Sequence, residues 1–191
     1  MFEYFFIIGA LLLLVSGSLD GLNLNKPVCA AILTALFLLS FLPNFNFKYI
    51  VYFSFTGLFI AALAFFMTVC LKQERYEALI TGLTLGIFVW VVITISPSLN
   101  TWYFKAVVCS VIGVCLGTGY LQASVISVTG CLCAEVFSLI LAMDYELITM
   151  PLFIGSSRTC LIISLILPII FASMPITRQK ELFTKNADGV S

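Results

Sequence analysis

Two residues of this chain could carry charge into an apolar interior. They are Glu135, in "GCLCAEVFSLIL" (130–141), and Arg158, in "IGSSRTC" (154–160). No other charged residue lies within eight positions of Glu135 on either side. A carboxylate so placed can act as a proton acceptor, as a substrate site, or as half of an ion pair. The chain has no histidine, so the commonest general base, proton shuttle and metal ligand is missing. Its seven cysteines (Cys29, Cys70, Cys109, Cys115, Cys131, Cys133 and Cys160) lie in or beside apolar runs. The closest pair, Cys131 and Cys133, would point about 200° apart on a helix, and thiolate sites want His or further Cys nearby. These cysteines read as small core residues. No metal, cofactor or catalytic residue is expected, because there is no HExxH, DxxD or GKS/GKT pattern and Glu135 is the one acid clearly inside an apolar run.

The elements that must hold these charges are membrane helices. Of 191 residues, 62% are hydrophobic and 9% charged, against roughly 25% charged in a soluble domain; the mean hydropathy is +1.17. Nine basic residues balance nine acidic ones and form no long basic run. Nucleic acid is therefore excluded as a partner. A helix crosses a bilayer in about 20 apolar residues. The expected fold is an all-α integral membrane bundle of about seven transmembrane helices (six to eight), in one domain over 1–175 with a polar cytoplasmic tail over 176–191.

The spans are expected near 4–19, 28–42, 49–71, 78–96, 102–119, 121–142 and 152–174. The first opens on "MFEY", which has an acid and no Lys or Arg, so it reads as a span and not as a cleaved signal. Pro27 and Pro43 bracket the second, and "PSLN" (97–100) is a turn signal after the fourth. The apolar stretch 102–142 is too long for one crossing and divides near "GTGYLQ" (117–122). With seven spans, Lys26, Lys72, Arg75, Arg178, Lys180 and Lys185 fall on one side, and Lys48 and Lys105 on the other. That asymmetry predicts an external N-terminus and a cytoplasmic C-terminus, with Trp102, Tyr103 and Tyr145 at the outer interface.

Two packing constellations follow. Ala78, Gly82 and Gly86 repeat at i, i+4 and i+8 on span four, as do Cys109, Gly113 and Gly117 on span five. Small residues let helix backbones approach, so these ridges are expected to meet across the hairpin, with self-association through them as the alternative. Glu135 lies about 12 Å from the outer end of its span and Arg158 about 9 Å, at 1.5 Å per residue. Their matching depth predicts an ion pair, supported by the hydroxyls of Ser156, Ser157 and Thr159. Pro168 should kink the last span by clashing with the Ser164 carbonyl.

Residues 18–36 and 98–116 match at six of 19 positions with an offset of 80. Duplication would make spans one to three and four to six an inverted pair, a device of secondary transporters; chance matching of apolar residues accounts for the match equally well. Two functions fit. A non-catalytic scaffold or subunit of a membrane assembly explains the short loops, the small-residue ridges and a single buried pair. A small secondary transporter or channel-like protein for a small or amphiphilic solute would instead use Glu135 and Arg158 as its site. The expected partners are the lipid bilayer and other membrane proteins, in a cell membrane of bacterial cytoplasmic type.

Overall fold

The computed structural model describes residues 2–16, 25–42, 45–47, 51–71, 74–143, 150–152 and 156–173. The tail 176–191 lies outside the described residues, as do Lys48, Lys72, Tyr145, Arg178, Lys180 and Lys185. Among the described residues the chain is helical: α1 (Phe2–Val15), α2 (Lys26–Leu39), α3 (Phe55–Cys70), α4 (Arg75–Ile95), α5 (Trp102–Leu116), α6 (Tyr120–Met143) and α7 (Ser156–Ser173). The helices start and stop where local chemistry dictates. Pro27 sits in the first turn of α2, where its missing N–H is not needed. Ser54 caps α3 by accepting a 2.9 Å bond from the Gly57 N–H. Pro97 holds Ser96 out of the helical region and opens a short 3-10 turn, Pro97–Leu99, between α4 and α5. At the start of α6 the Gln122 side chain reaches back, its Oε1 accepting from the Thr118 N–H at 2.6 Å and the Thr118 hydroxyl at 2.7 Å. The break between α5 and α6 thus falls within the 117–122 segment.

Two expected spans begin as strands. β1 (Phe45–Phe47) pairs antiparallel with β2 (Val51–Phe53), and β2 pairs parallel with β3 (Met150–Leu152). Strands occupy the starts of the expected 49–71 and 152–174 spans, so α3 opens only at Phe55 and α7 only at Ser156. "IVYF" is β-branched and aromatic, a composition that suits a strand. Pro151 lacks the N–H that a helix interior needs.

Two helices, Arg75–Ile95 and the Tyr120–Ser138 part of α6, are long and apolar enough to cross a membrane. They are buried differently: 67% of the window in α6 lies inside the molecule, but only 33% of that in α4. α4 nevertheless stays apolar on its outer face, where Ile80, Leu83, Ile87, Phe88, Val91 and Ile95 are exposed. A helix apolar all round yet mostly uncovered belongs in lipid or against another apolar surface.

α6 is the central helix; every residue from Gln122 to Val128 is buried. α4 runs parallel to it at a constant offset, Gly82 facing Thr129 and Gly86 facing Cys133, each 47 positions apart. α5 and α7 pack antiparallel to it on its other sides. The two small-residue ridges, buried except at the half-buried Gly117, therefore meet α6 and not each other. A methyl group at Gly86 would stand 2.5 Å from the Cys133 Cβ, and one at Gly113 would stand 2.7 Å from the Ala123 carbonyl. The reason is that α6 is itself lined with small residues. A Cβ at Gly130 would lie 3.3 Å from both Leu85 on α4 and Cys109 on α5. Pro168 is buried inside α7, which continues through it to Ser173. α1 joins α2 through an aromatic cluster in which the Tyr4, Phe37 and Phe41 ring centroids lie 5.1 to 5.9 Å apart.

Candidate functional site

Glu135 projects from the C-terminal half of α6 into the space between the first turns of α5 and α7. Its Oε1 accepts a 2.7 Å charge-assisted bond from Lys105 Nζ on α5. Its Oε2 accepts a 2.9 Å bond from the Ser157 hydroxyl on α7. The side chains of Lys105 and Glu135 are 9% and 11% exposed, so the pair is essentially desolvated. The partner thus differs from the expected one. Arg158, next to Ser157, directs Nη1 to the Ser40 carbonyl at the end of α2, 3.3 Å away. On α7 it is Ser157 that reaches Glu135, one of the hydroxyls expected to support the pair.

Lys105 reaches Glu135 from a backbone position at the outer flank of its span, where a lysine is expected to face solvent. Lysine carries its charge on a four-carbon stem, so a backbone near the helix end can deliver the ammonium well inside. The available signal was spacing. Lys105 and Glu135 lie 15 positions before and 15 after Tyr120, so a hairpin that turns within 117–122 brings them level. α5 and α6 form an antiparallel hairpin about that break.

Further polar contacts lie deeper in the bundle. Cys131, one turn before Glu135, has its Sγ 3.6 Å from Cys160 Sγ and 3.8 Å from the Lys105 carbonyl. The cysteines among the described residues are free thiols. No group of three His, Cys, Asp or Glu side chains among the described residues is arranged to hold a metal ion. Lower still, the Ser110 and Ser127 hydroxyls share a 3.1 Å bond between α5 and α6.

Chemically, the Glu135 site is occupied by its own neighbours. The carboxylate is neutralised by an ammonium and hydrogen-bonded by a hydroxyl, and it lines neither of two concave regions found elsewhere. One is an apolar cavity of about 260 Å3 at the opposite end of the bundle, where α2 and α6 begin and α1, α3 and α7 end. The other is a groove of about 410 Å3 between α4 and α5, bordered by Ile80, Thr84, Phe88, Ile112 and Leu116. The groove exists because both helices turn their small faces toward α6 and away from each other. Among the described residues the two halves compared at an offset of 80 pack differently. α4 lies along α6 over many turns, whereas α1 and α3, which duplication would place in the same relation, make no comparable contact among the described residues.

These features define a predominantly helical protein with two helices of membrane-crossing length, organised among the described residues around the buried Lys105–Glu135 pair. No protein-family model, curated protein or solved structure matches the chain.

Proposed function

We propose that this chain is a multi-pass membrane protein of seven spans, N-terminus outside and C-terminus cytoplasmic, acting as a non-catalytic scaffold or subunit of a membrane assembly. The observation that carries the reading is the closed Lys105–Glu135–Ser157 contact. A carboxylate used for transport or catalysis must meet a substrate or water, and this one is shielded between three helices with both oxygens engaged. The apolar outer face of α4 is one of the surfaces left for lipid or for another membrane protein, beside those of α1 and α3. Basic residues favour the orientation, and a bacterial cytoplasmic membrane suits the short loops.

The deciding experiment introduces cysteine at Ile87 on the outer face of α4 and crosslinks in intact membranes. A discrete crosslinked species of fixed mass is the expected outcome. The reading fails if the purified protein alone, in liposomes, moves a solute at a rate that Glu135→Gln abolishes. A carrier for a small amphiphilic solute is the second reading. It is favoured by the apolar cavity, which lies away from the ion pair.

A further inference from the structure

The cavity is polar at one end only. Its deeper wall is Ala10, Leu33, Leu63, Leu165 and Ile166, drawn from α1, α2, α3 and α7. Its rim carries Asn25 at the start of α2 and Tyr120 at the start of α6. Asn25 occupies the N-cap position of α2 yet its side chain makes no capping bond. Asn25 is exposed and Tyr120 half-buried, and among the described residues neither the Asn25 amide nor the Tyr120 hydroxyl has a side-chain hydrogen-bond partner, so both are open to a ligand's head group. Among the described residues that line the cavity there is no Lys, Arg, Asp or Glu.

From this gradient we infer that the cavity binds a single-chain neutral amphiphile, an alkyl chain with a hydroxyl or carbonyl head. The chain lies against the aliphatic wall, and the head exchanges hydrogen bonds with Asn25, which both donates and accepts, and with Tyr120. At about 30 Å3 per methylene, the space taken by a liquid water, the 260 Å3 holds roughly eight or nine carbons. Among the described lining residues a charged head would find no counter-charge, so neutrality is part of the specificity. The inference rests on neither functional reading, since it concerns what is held and not whether it is carried.

The test is photolabelling of the full chain in lipid nanodiscs with an eight-carbon alkanol bearing a diazirine, mapped by peptide mass spectrometry. Labelling within residues 25–33, 63–70 and 165–170 should exceed that of the outer face of α4, which reports the bilayer background, by at least fivefold. Leu33→Trp and Ile166→Trp, which fill the cavity from different helices, should each reduce it to background while circular dichroism and gel-filtration behaviour are kept. In the unmodified protein 1-octanol should compete and octylammonium should not. Labelling no higher than on α4, labelling that survives both fillings, or equal competition by octylammonium overturns the inference.

Discussion

Replacing Lys105 with methionine keeps an unbranched stem of similar length and removes the ammonium facing Glu135. The carboxylate would then keep the Ser157 hydroxyl and lose its one direct ion-pair partner. At 9% and 11% exposure the pair falls under the rules for buried charges. Surface pairs contribute about 0 to 1 kcal/mol. Orphaning one partner of a buried pair costs about 3 to 5 kcal/mol, because the remaining charge is not resolvated. Replacing both charges, Lys105→Met with Glu135→Leu, removes the orphan and should return stability to within about 1 kcal/mol of the parent. The expected coupling in a double-mutant cycle is therefore at least about 2 kcal/mol. It should exceed the coupling between Glu135 and Arg158 measured in the same way. The readout is loss of helical circular dichroism as dodecyl sulfate is titrated into mixed micelles. A Lys105→Met cost below about 1 kcal/mol, or a double variant no more stable than the worse single one, would refute the assignment of the pair.

Ser157→Ala removes a hydroxyl that donates to a charged acceptor, and should lower stability in the same titration by about 1.5 to 3 kcal/mol. Gly86→Ala would force a methyl to within 2.5 Å of Cys133, an overpacking penalty of about 1 to 3 kcal/mol. Gly9→Ala, where nothing lies within 4 Å, should be neutral or stabilising by up to about 1 kcal/mol through helix propensity; the opposite ranking would show that α6 does not lie against α4. Cys70 and Cys115 are exposed in the last turns of α3 and α5 and belong to the same end of the bundle, while Cys109, Cys131 and Cys160 are buried. A membrane-impermeant maleimide should label the exposed pair in inside-out vesicles and not in intact cells, and labelling from the cell exterior would reverse the proposed orientation.

The helical nature of the chain and several of its breaks were legible because they depend on local chemistry. Pro97 and the 117–119 segment interrupt helices whatever their neighbours, and composition alone sets the apolar character of α4 and α6. Less legible was which face meets which. Glycine ridges at 78–86 and 109–117 announce close approach but carry no label for the partner. α6 became the partner of both because Ala123, Ser127, Gly130 and Cys133 are small on several sides at once, a property that a search for i+4 glycines does not register. The strand at 51–53 was hidden for a similar reason: the apolar run from 49 suits a helix, although β2 pairs with β3 at residues 99 positions further along the chain. Lys105 was hidden by treating a helix-end lysine as a solvent charge.

The α5–α6 hairpin has polar contacts at three heights: Thr118 with Gln122 near the turn, Ser110 with Ser127 midway, and Lys105 with Glu135 near the open end. The two contacts between the helices, Ser110 with Ser127 and Lys105 with Glu135, have residue numbers that sum to 237 and 240, within one helical turn of a common register, whereas Thr118 with Gln122 closes the connecting turn. In a bilayer the apolar side chains between these levels are nearly as content against lipid as against each other, so they discriminate weakly among registers. A slip of one helix past the other by a single turn, about 5.4 Å, would break both interhelical contacts and leave the ammonium and the carboxylate apart in an apolar medium. The buried carboxylate at position 135 is thus best understood as the costliest member of a register lock. It need not add net stability over an apolar pair to do this, because what matters is the penalty it imposes on every wrong alignment. The Lys105→Met, Glu135→Leu double variant separates the two roles: if the pair sets register, engineered cysteine crosslinks between α5 and α6 should form in more than one register although the overall stability is kept. A single unchanged crosslinking register would assign the alignment to the glycine contacts at Gly113 and Gly117 instead.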